Sequence, residues 1–351
     1  MWVYYAVFIC AFLLAAFDGS RNIYLKIFPF LAFSLVLIAI PGFRPIGVDN
    51  DSIAYVDIFE TANTLSFWQI ISGDYWQNIE RGYMFLNKVV GIVGGDERVL
   101  FIIVAALTGM LNYGFFFKVS RYPFISLLFY LSFFFLYRDL TQIRYALSCA
   151  IVFWSVYSFL QKRAITGLLL LLLAISFHTT AIIMLVVLPF CALVRNRYLY
   201  LSFPILGLVG LVYSPLNLLI GLFGAPEHMS IYMESEGGGG FMVGAIGLVV
   251  MFIYTFYPGD FEDRDFNFGF YYRLFAIGVT LSLFFFQISI FQRFSYLLFQ
   301  FGVVLLPNMF FNLEKKLGPY LLLLIHLLFC IFFLYYGIRM IHPDLIRPYV
   351  E

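Results

Sequence analysis

Apolar residues run along this chain in stretches long enough to cross a bilayer, separated by short polar breaks. A crossing helix needs roughly 20 mostly apolar residues, within a range of about 17 to 25. Stretches of this kind cover 1–17, 24–42, 99–119, 123–138, 144–161, 198–222, 241–257, 271–290, 294–311 and 319–338. Residues 164–194 form either one tilted span or two short ones meeting at Ser176-Phe177-His178. The pattern predicts an all-α, polytopic membrane protein of about 12 transmembrane helices, or about 11 if 164–194 crosses once. A single integral membrane domain, 1–351, accounts for it.

The placement of Lys and Arg favours the divided form. It makes six short loops cytoplasmic, each carrying or abutting a basic pair: Arg21/Lys26, Lys118/Arg121, Lys162/Arg163, Arg195/Arg197, Arg264/Arg273 and Lys315/Lys316. That is the positive-inside pattern. A single crossing would export Arg195, Arg197, Lys315 and Lys316 instead. In the divided form both chain ends, segment 43–98, the Arg138–Arg144 turn, His178, the 225–240 loop and Arg293 face outward. Residues 1–17 lack a basic leading region and read as a retained span, not a cleaved signal.

Segment 43–98 interrupts the apolar pattern. It is acidic (Asp49, Asp51, Asp57, Glu60, Asp74, Glu80) and aromatic (Tyr55, Phe59, Phe67, Trp68, Tyr75, Trp76). Ile53, Val56 and Phe59 fall at helical spacing, with Asp51 placed to cap that helix. Trp and Tyr at headgroup level would hold the segment flat on the outer surface. Residues 83–93 read as a short apolar helix dipping partly into the membrane.

Composition narrows the class further. Hydrophobic residues are 63% and charged residues 12% of the chain, which excludes an ordinary soluble domain. A net charge of +1 with no dense basic run argues against a nucleic-acid partner. Cys10, Cys149, Cys191 and Cys330 lie in apolar stretches without metal spacing and read as small buried hydrophobes. No HExxH, DxD or nucleotide loop occurs, and no Lys-Ser/Thr follows the tetraglycine Gly237–Gly240, which reads as a hinge. No metal and no cofactor are expected, and a cytoplasmic sugar-nucleotide or ATP enzyme is disfavoured.

The remaining polar groups are arginines, two carboxylates and a histidine. Arg44, Arg138, Arg144 and Arg293 border apolar stretches on the outward side. A guanidinium at membrane depth is costly, and its fork suits phosphate. Arg44, Arg144 and Arg293 also have a plainer reading as residues snorkelling to the headgroups. Asp49, Glu80 and His178 are candidate proton acceptors, with His178 favoured because an imidazole titrates near working pH, against readings as turn, interfacial ion pair and structural histidine. Tyr55 and Tyr83 either stack on sugar rings or belong to an interfacial belt.

Five elements taken in order resemble the EpsG family of polysaccharide polymerases, the Wzy-like membrane proteins. They are Arg44 with Gly47-Val48-Asp49 and Tyr55; Glu80 with Gly82-Tyr83 and Asn87; Gln142-Ile143-Arg144; Phe177-His178; and Arg293 with Tyr296 and Leu306-Pro307. Val48 stands where Thr is common, and Tyr145 where Gln is common. The resemblance implies a GT-C-like glycosyltransferase of the bacterial inner membrane, working on the periplasmic side. Its substrate would be undecaprenyl diphosphate-linked oligosaccharide among membrane lipids, with a flippase and a chain-length regulator of the same pathway as possible partners. The expected chemistry moves a growing glycan from its lipid diphosphate to a hydroxyl of a lipid-linked repeat unit. Two alternatives stay open: a glycan ligase of the same chemistry, and a non-enzymatic flippase or carrier of lipid-linked glycan. The latter expects polar groups through the spans and an internal repeat. Here the charges cluster at one face and no repeat is visible.

Overall fold

The computed structural model describes residues 1–20, 22–75, 79–213, 215, 241–256, 267–314, 319–342 and 346–349. The 225–240 loop with its tetraglycine, together with Arg21, Trp76, Arg264, Lys315 and Lys316, lies outside the described residues. The chain divides into two compact units, Met1–Ala181 with Glu314–Glu351, and Ile182–Leu313.

The first unit is a bundle built in chain order. It runs α1 (Trp2–Leu14), α2 (Ile23–Gly42), α3 (Ser52–Thr64), α4 (Phe67–Ser72), α5 (Arg81–Ile92), α6 (Glu97–Val119), α7 (Pro123–Tyr130), α8 (Ile143–Leu160) and α9 (Ala164–Phe177). Helix Pro319–Arg339 returns to pack on α1 and α7. Local chemistry sets several boundaries. Asn22 and Asp96 cap α2 and α6 by accepting from Tyr24 N–H and Val99 N–H, each at 3.0 Å. Ser66 and Gln69 form a capping box on α4, and Gly73 ends it in the left-handed region.

Helix α2 shows how a membrane helix divides its faces. Phe28, Leu31 and Leu35 are exposed while Phe30, Phe33 and Leu37 are buried. Its buried face meets α6 closely, because Gly109 leaves room for Ile38: a Cβ there would lie 2.3 Å from Ile38 Cγ1. Small residues allow this kind of approach between spans, where no hydrophobic force drives helices together.

Among the described residues, four helices are long and apolar enough to cross a membrane: Trp2–Gly19, Ile23–Gly42, Glu97–Val119 and Ile143–Leu160. A fifth arises if Ser289–Phe299 and Gly302–Phe310, bent by 41°, act as one broken span. Most of the other expected crossings are apolar helices of 10–17 residues, such as Ala164–Phe177 and Phe268–Phe284. The helical membrane fold therefore stands, at a coarser count than the predicted 12 or 11. Breaks in the backbone account for part of the difference. Residues 123–139 run as α7 and then a π-helical stretch, Leu131–Asp139. Stretch 164–194 divides at His178, where an extended residue and a 3-10 turn, Thr179–Ile183, separate α9 from α10 (Met184–Leu193).

Segment 43–98 folds as three short helices, α3 to α5. Trp68 is exposed, but Tyr55 and Phe59 are buried, so only part of its aromatic set faces outward. Asp51 occupies the N-cap position of α3 without making the capping bond expected of it. Its backbone is already right-handed helical, not in the extended form that aims a cap side chain at the first free N–H groups.

The second unit contains α10, α11 (Arg197–Gly207), α12 (Val209–Val212) and the helices Phe241–Phe256, Phe268–Phe284, Gln292–Phe299 and Gly302–Glu314. Its helices approach through glycine as well. A Cβ on Gly278 would lie 2.5 Å from Phe299 N, and the Gly278 carbonyl accepts from Ser295 Oγ at 2.9 Å.

Candidate functional site

The first unit places its ionisable groups around the helix starts that follow α2, α4 and the π-helical stretch. Past α2 the chain turns at Pro45 and at Gly47, whose φ of +89° suits a residue without Cβ. The turn is tied by Gly47 N–H donating to Ser52 Oγ at 2.8 Å. It folds Arg44 back onto Asp49, with Nε 2.9 Å from Oδ2 and both side chains fully buried. Arg44 Nη1 donates to Pro41 O at 3.0 Å, and the guanidinium lies 4.3 Å from the Phe101 ring centroid. Arg44 is thus enclosed, which rules out the snorkelling reading. Its Nη2 is buried without a hydrogen-bond partner.

The loop has a further tie that no sequence signal pointed to. Asp49 forms an antiparallel bridge with Ile346, and Arg347 N–H donates to Val48 O at 2.9 Å. Tyr349 Oη donates to Ile40 O at 2.9 Å. The C-terminal tail therefore straps the loop that carries Asp49.

A second ion pair joins α5 to α8. Glu80 stands at the N-cap position of α5, and its Oε2 meets Arg144 Nη1 from the first turn of α8. Glu80 Oε1 accepts from Thr179 N–H at 3.0 Å. Unlike the Arg44–Asp49 pair, this one reaches solvent, with side-chain exposures of 19% for Arg144 and 10% for Glu80.

Tyr55 and Tyr83 stand behind Arg144. Its guanidinium lies 6.0 and 5.7 Å from their ring centroids, and the rings meet edge to face at 5.9 Å. Both are buried, at 4% and 0% exposure, so neither presents an open stacking face. Burial pushes the Tyr55 phenol up to about 12, against the opposing pull of Arg144, and raises that of Tyr83 as well. Both are neutral across any physiological pH and form an aromatic wall behind the arginine.

His178 lies at the end of α9, next in sequence to Thr179. Its Nδ1 accepts from Thr180 N–H at 3.2 Å, and its ring is 5.1 Å from that of Tyr145. A neutral imidazole whose Nδ1 accepts carries its proton on Nε2. Beyond Tyr145, at 6.0 Å from its ring, is the Arg138 guanidinium, which also stacks on Phe134 at 4.3 Å. Asp139 accepts from Tyr130 Oη at 2.6 Å, and Asn112 Nδ2 meets that same oxygen at 2.6 Å. Asn112, Tyr130 and Asp139 escaped the sequence reading. Their signal was available, since a buried Asp or Asn inside an apolar run marks a functional or packed polar network.

Phe101, 6.5 Å from the Tyr55 ring, joins the Arg44–Asp49 pair to Tyr55, Tyr83, Arg144 and Glu80, and the chain neighbours Thr179 and Tyr145 bring in His178 and Arg138, all within the first unit. Arg293 belongs to the second unit, half-buried in the first turn of Gln292–Phe299. Among the described residues no group of three His, Cys, Asp or Glu is placed to hold a metal ion.

The arrangement pairs Arg44 with Asp49 and Arg144 with Glu80, with Arg138 4.0 Å from Asp139, beside a histidine at the ends of apolar helices. Comparison with curated proteins and with solved structures finds no match. The EpsG family model, in contrast, matches residues 26–350, almost the full length, a range within which the candidate site lies. The chain therefore belongs to the EpsG family, whose general role lies in polysaccharide biosynthesis.

Proposed function

We propose that this protein is a GT-C-like polysaccharide polymerase of the bacterial inner membrane, acting on its periplasmic side. It transfers a growing glycan from undecaprenyl diphosphate to a hydroxyl of a lipid-linked repeat unit, making O-antigen, capsule or exopolysaccharide. The observation that carries this reading is the Glu80–Arg144 pair, a solvent-reaching guanidinium and carboxylate held together against His178's neighbour Thr179.

The chemistry follows from that pair. The bond between the donor sugar C1 and the diphosphate oxygen breaks, and one between C1 and the acceptor oxygen forms. Arg144 engages the departing diphosphate, whose charge grows as the bond breaks. Glu80, released from Arg144 by the incoming anion, takes the proton of the acceptor hydroxyl. His178 supplies Nε2–H as a hydrogen-bond donor to the same anion. Asp49, sealed from solvent, holds Arg44 in place, and the positive charge of Arg44 and Arg138 adds to the local field. Arg293, in the second unit, is proposed as a phosphate-binding residue by its place in the family pattern alone.

The test is direct. Purified protein in lipid, given lipid-linked repeat units and no nucleotide, is expected to yield longer lipid-linked chains. Unchanged oligosaccharide that merely crosses the bilayer supports a flippase instead. Transfer only to a non-repeat acceptor supports a ligase.

A further inference from the structure

A cavity of about 150 Å³ opens beside the site, lined by Asn50, Asp51, Tyr137, Thr141, Gln142 and Ile346. Its walls are chain neighbours of the site's charged groups: Asn50 and Asp51 follow Asp49, Tyr137 precedes Arg138, and Gln142 comes two before Arg144. The strap residue Ile346 closes one side through its bridge to Asp49.

Size, chemistry and place agree on one kind of occupant. A cavity of about 150 Å³ is enough for a six-membered ring. Two carboxamides, a hydroxyl and a carboxylate offer donors and acceptors side by side, which suits vicinal hydroxyls that both give and take hydrogen bonds. Gln142 stands at the N-cap position of α8 without a side-chain capping bond, so its amide is not spent on the helix. Thr141 Oγ1 donates to Tyr137 O, which leaves that hydroxyl's lone pairs to accept. Half-buried Tyr137 offers a flat face to the C–H side of a sugar. With Asp51 and no Lys or Arg among the lining residues, the pocket repels phosphate.

We propose that this cavity is a subsite for one neutral pyranose ring of the glycan, a role that the buried Tyr55 and Tyr83 do not fill. The assignment rests on the reading of the protein as a handler of lipid-linked glycan. The subsite seats a sugar while Arg144 engages the diphosphate.

The experiment uses the full chain in lipid nanodiscs and saturation-transfer NMR with free glucose, galactose, mannose and N-acetylglucosamine, with inorganic phosphate as competitor. Saturation is expected on the ring protons of one or more of these sugars, undiminished by phosphate. Thr141→Phe, which fills the cavity, is expected to abolish it. Gln142→Ala, a milder truncation, is expected to weaken binding roughly 3- to 10-fold, the effect of one hydrogen bond. No saturation of any sugar, displacement by phosphate, or equal saturation in both variants overturns the subsite. The two readings fail separately. Sugar binding without chain growth removes the polymerase and leaves the subsite, whereas normal chain growth by Thr141→Phe removes the subsite and leaves the polymerase.

Discussion

Gly82 lies so close to Ser176 that a Cβ on it would sit 2.7 Å from the Ser176 carbonyl oxygen. This approach brings the start of α5 against the end of α9, and so sets Glu80 beside Thr179. Gly82→Ala is expected to force the helices apart, at a cost of about 1–3 kcal/mol, and to remove most chain-lengthening activity. Adding Ser176→Ala clears only the side-chain clash, since the carbonyl remains, so it should not restore activity. Normal chain length in Gly82→Ala cells at matched protein level would show that the α5–α9 contact does not set the site.

Arg44 and Asp49 form a buried ion pair, and removing one partner strands a charge at a cost of about 3–5 kcal/mol. Asp49→Asn and Arg44→Leu are therefore expected to lower thermal stability in lipid. The double variant Arg44→Leu with Asp49→Leu should recover it, because an apolar pair of similar volume is often tolerated. Activity should stay low in the double variant if the charge of Arg44 serves the diphosphate. Recovery of both stability and chain length would mark the pair as purely structural.

The arginines can be separated from simple cations. Arg44→Lys, Arg144→Lys and Arg293→Lys keep charge but lose the guanidinium fork. Each is expected to shorten the glycan in cells at matched protein level, with Arg144→Lys most severe because its ion pair with Glu80 reaches solvent while that of Arg44 is sealed. A residue that merely snorkels would tolerate lysine. Wild-type chains in all three variants would dismiss the diphosphate assignment.

His178 offers a test of direction of proton transfer. A donor through Nε2–H is partly replaceable by the amide of glutamine, while a general base is not. His178→Gln is expected to keep a measurable fraction of single-turnover rate, whereas loss of a base typically costs roughly 100- to 10,000-fold. Glu80→Gln should show that larger loss with lipid-substrate affinity mostly intact. The reverse ranking would make His178 the base.

Side of the membrane is checked by single cysteines at positions 178 and 293 in intact cells. Both are expected to react with an impermeant maleimide before permeabilisation. Protection of both would place the histidine and the arginines on the cytoplasmic side, away from the expected substrate.

The sequence made the candidate residues legible because each interrupts an apolar run, where a charge needs a reason. Arg44, Arg144 and His178 stand out on that basis alone. Their partners were less visible. Arg44 and Asp49 are close in the chain, but whether the turn closes them into a pair depends on Gly47 and Ser52. Glu80 and Arg144 come from helices far apart in sequence, and periodicity carries no information on which helix starts meet. The burial of Tyr55 and Tyr83 was hidden for the same reason, since an aromatic in an interfacial segment fits a belt, a sugar platform or a wall. The division at Ser176-Phe177-His178 was legible in the sequence, whereas the π-helical stretch before Arg138 was not, because hydropathy does not register backbone form.

The bridge between Asp49 and Ile346 also orders events in time. The loop that carries Asp49 is made long before the Ile346 segment that pins it, with α3 to α9 and the whole second unit between them in the sequence. Ribosome and translocon will have delivered both ion pairs and the wall of Tyr55 and Tyr83 before the strap exists. The loop can take its final form only when helix Pro319–Arg339 has been made and the Ile346 segment has emerged on the same side. A chain cut short just before Ile346 would keep every charged residue of the site and still leave its first loop unfastened, so the site is complete only once Ile346 has been made.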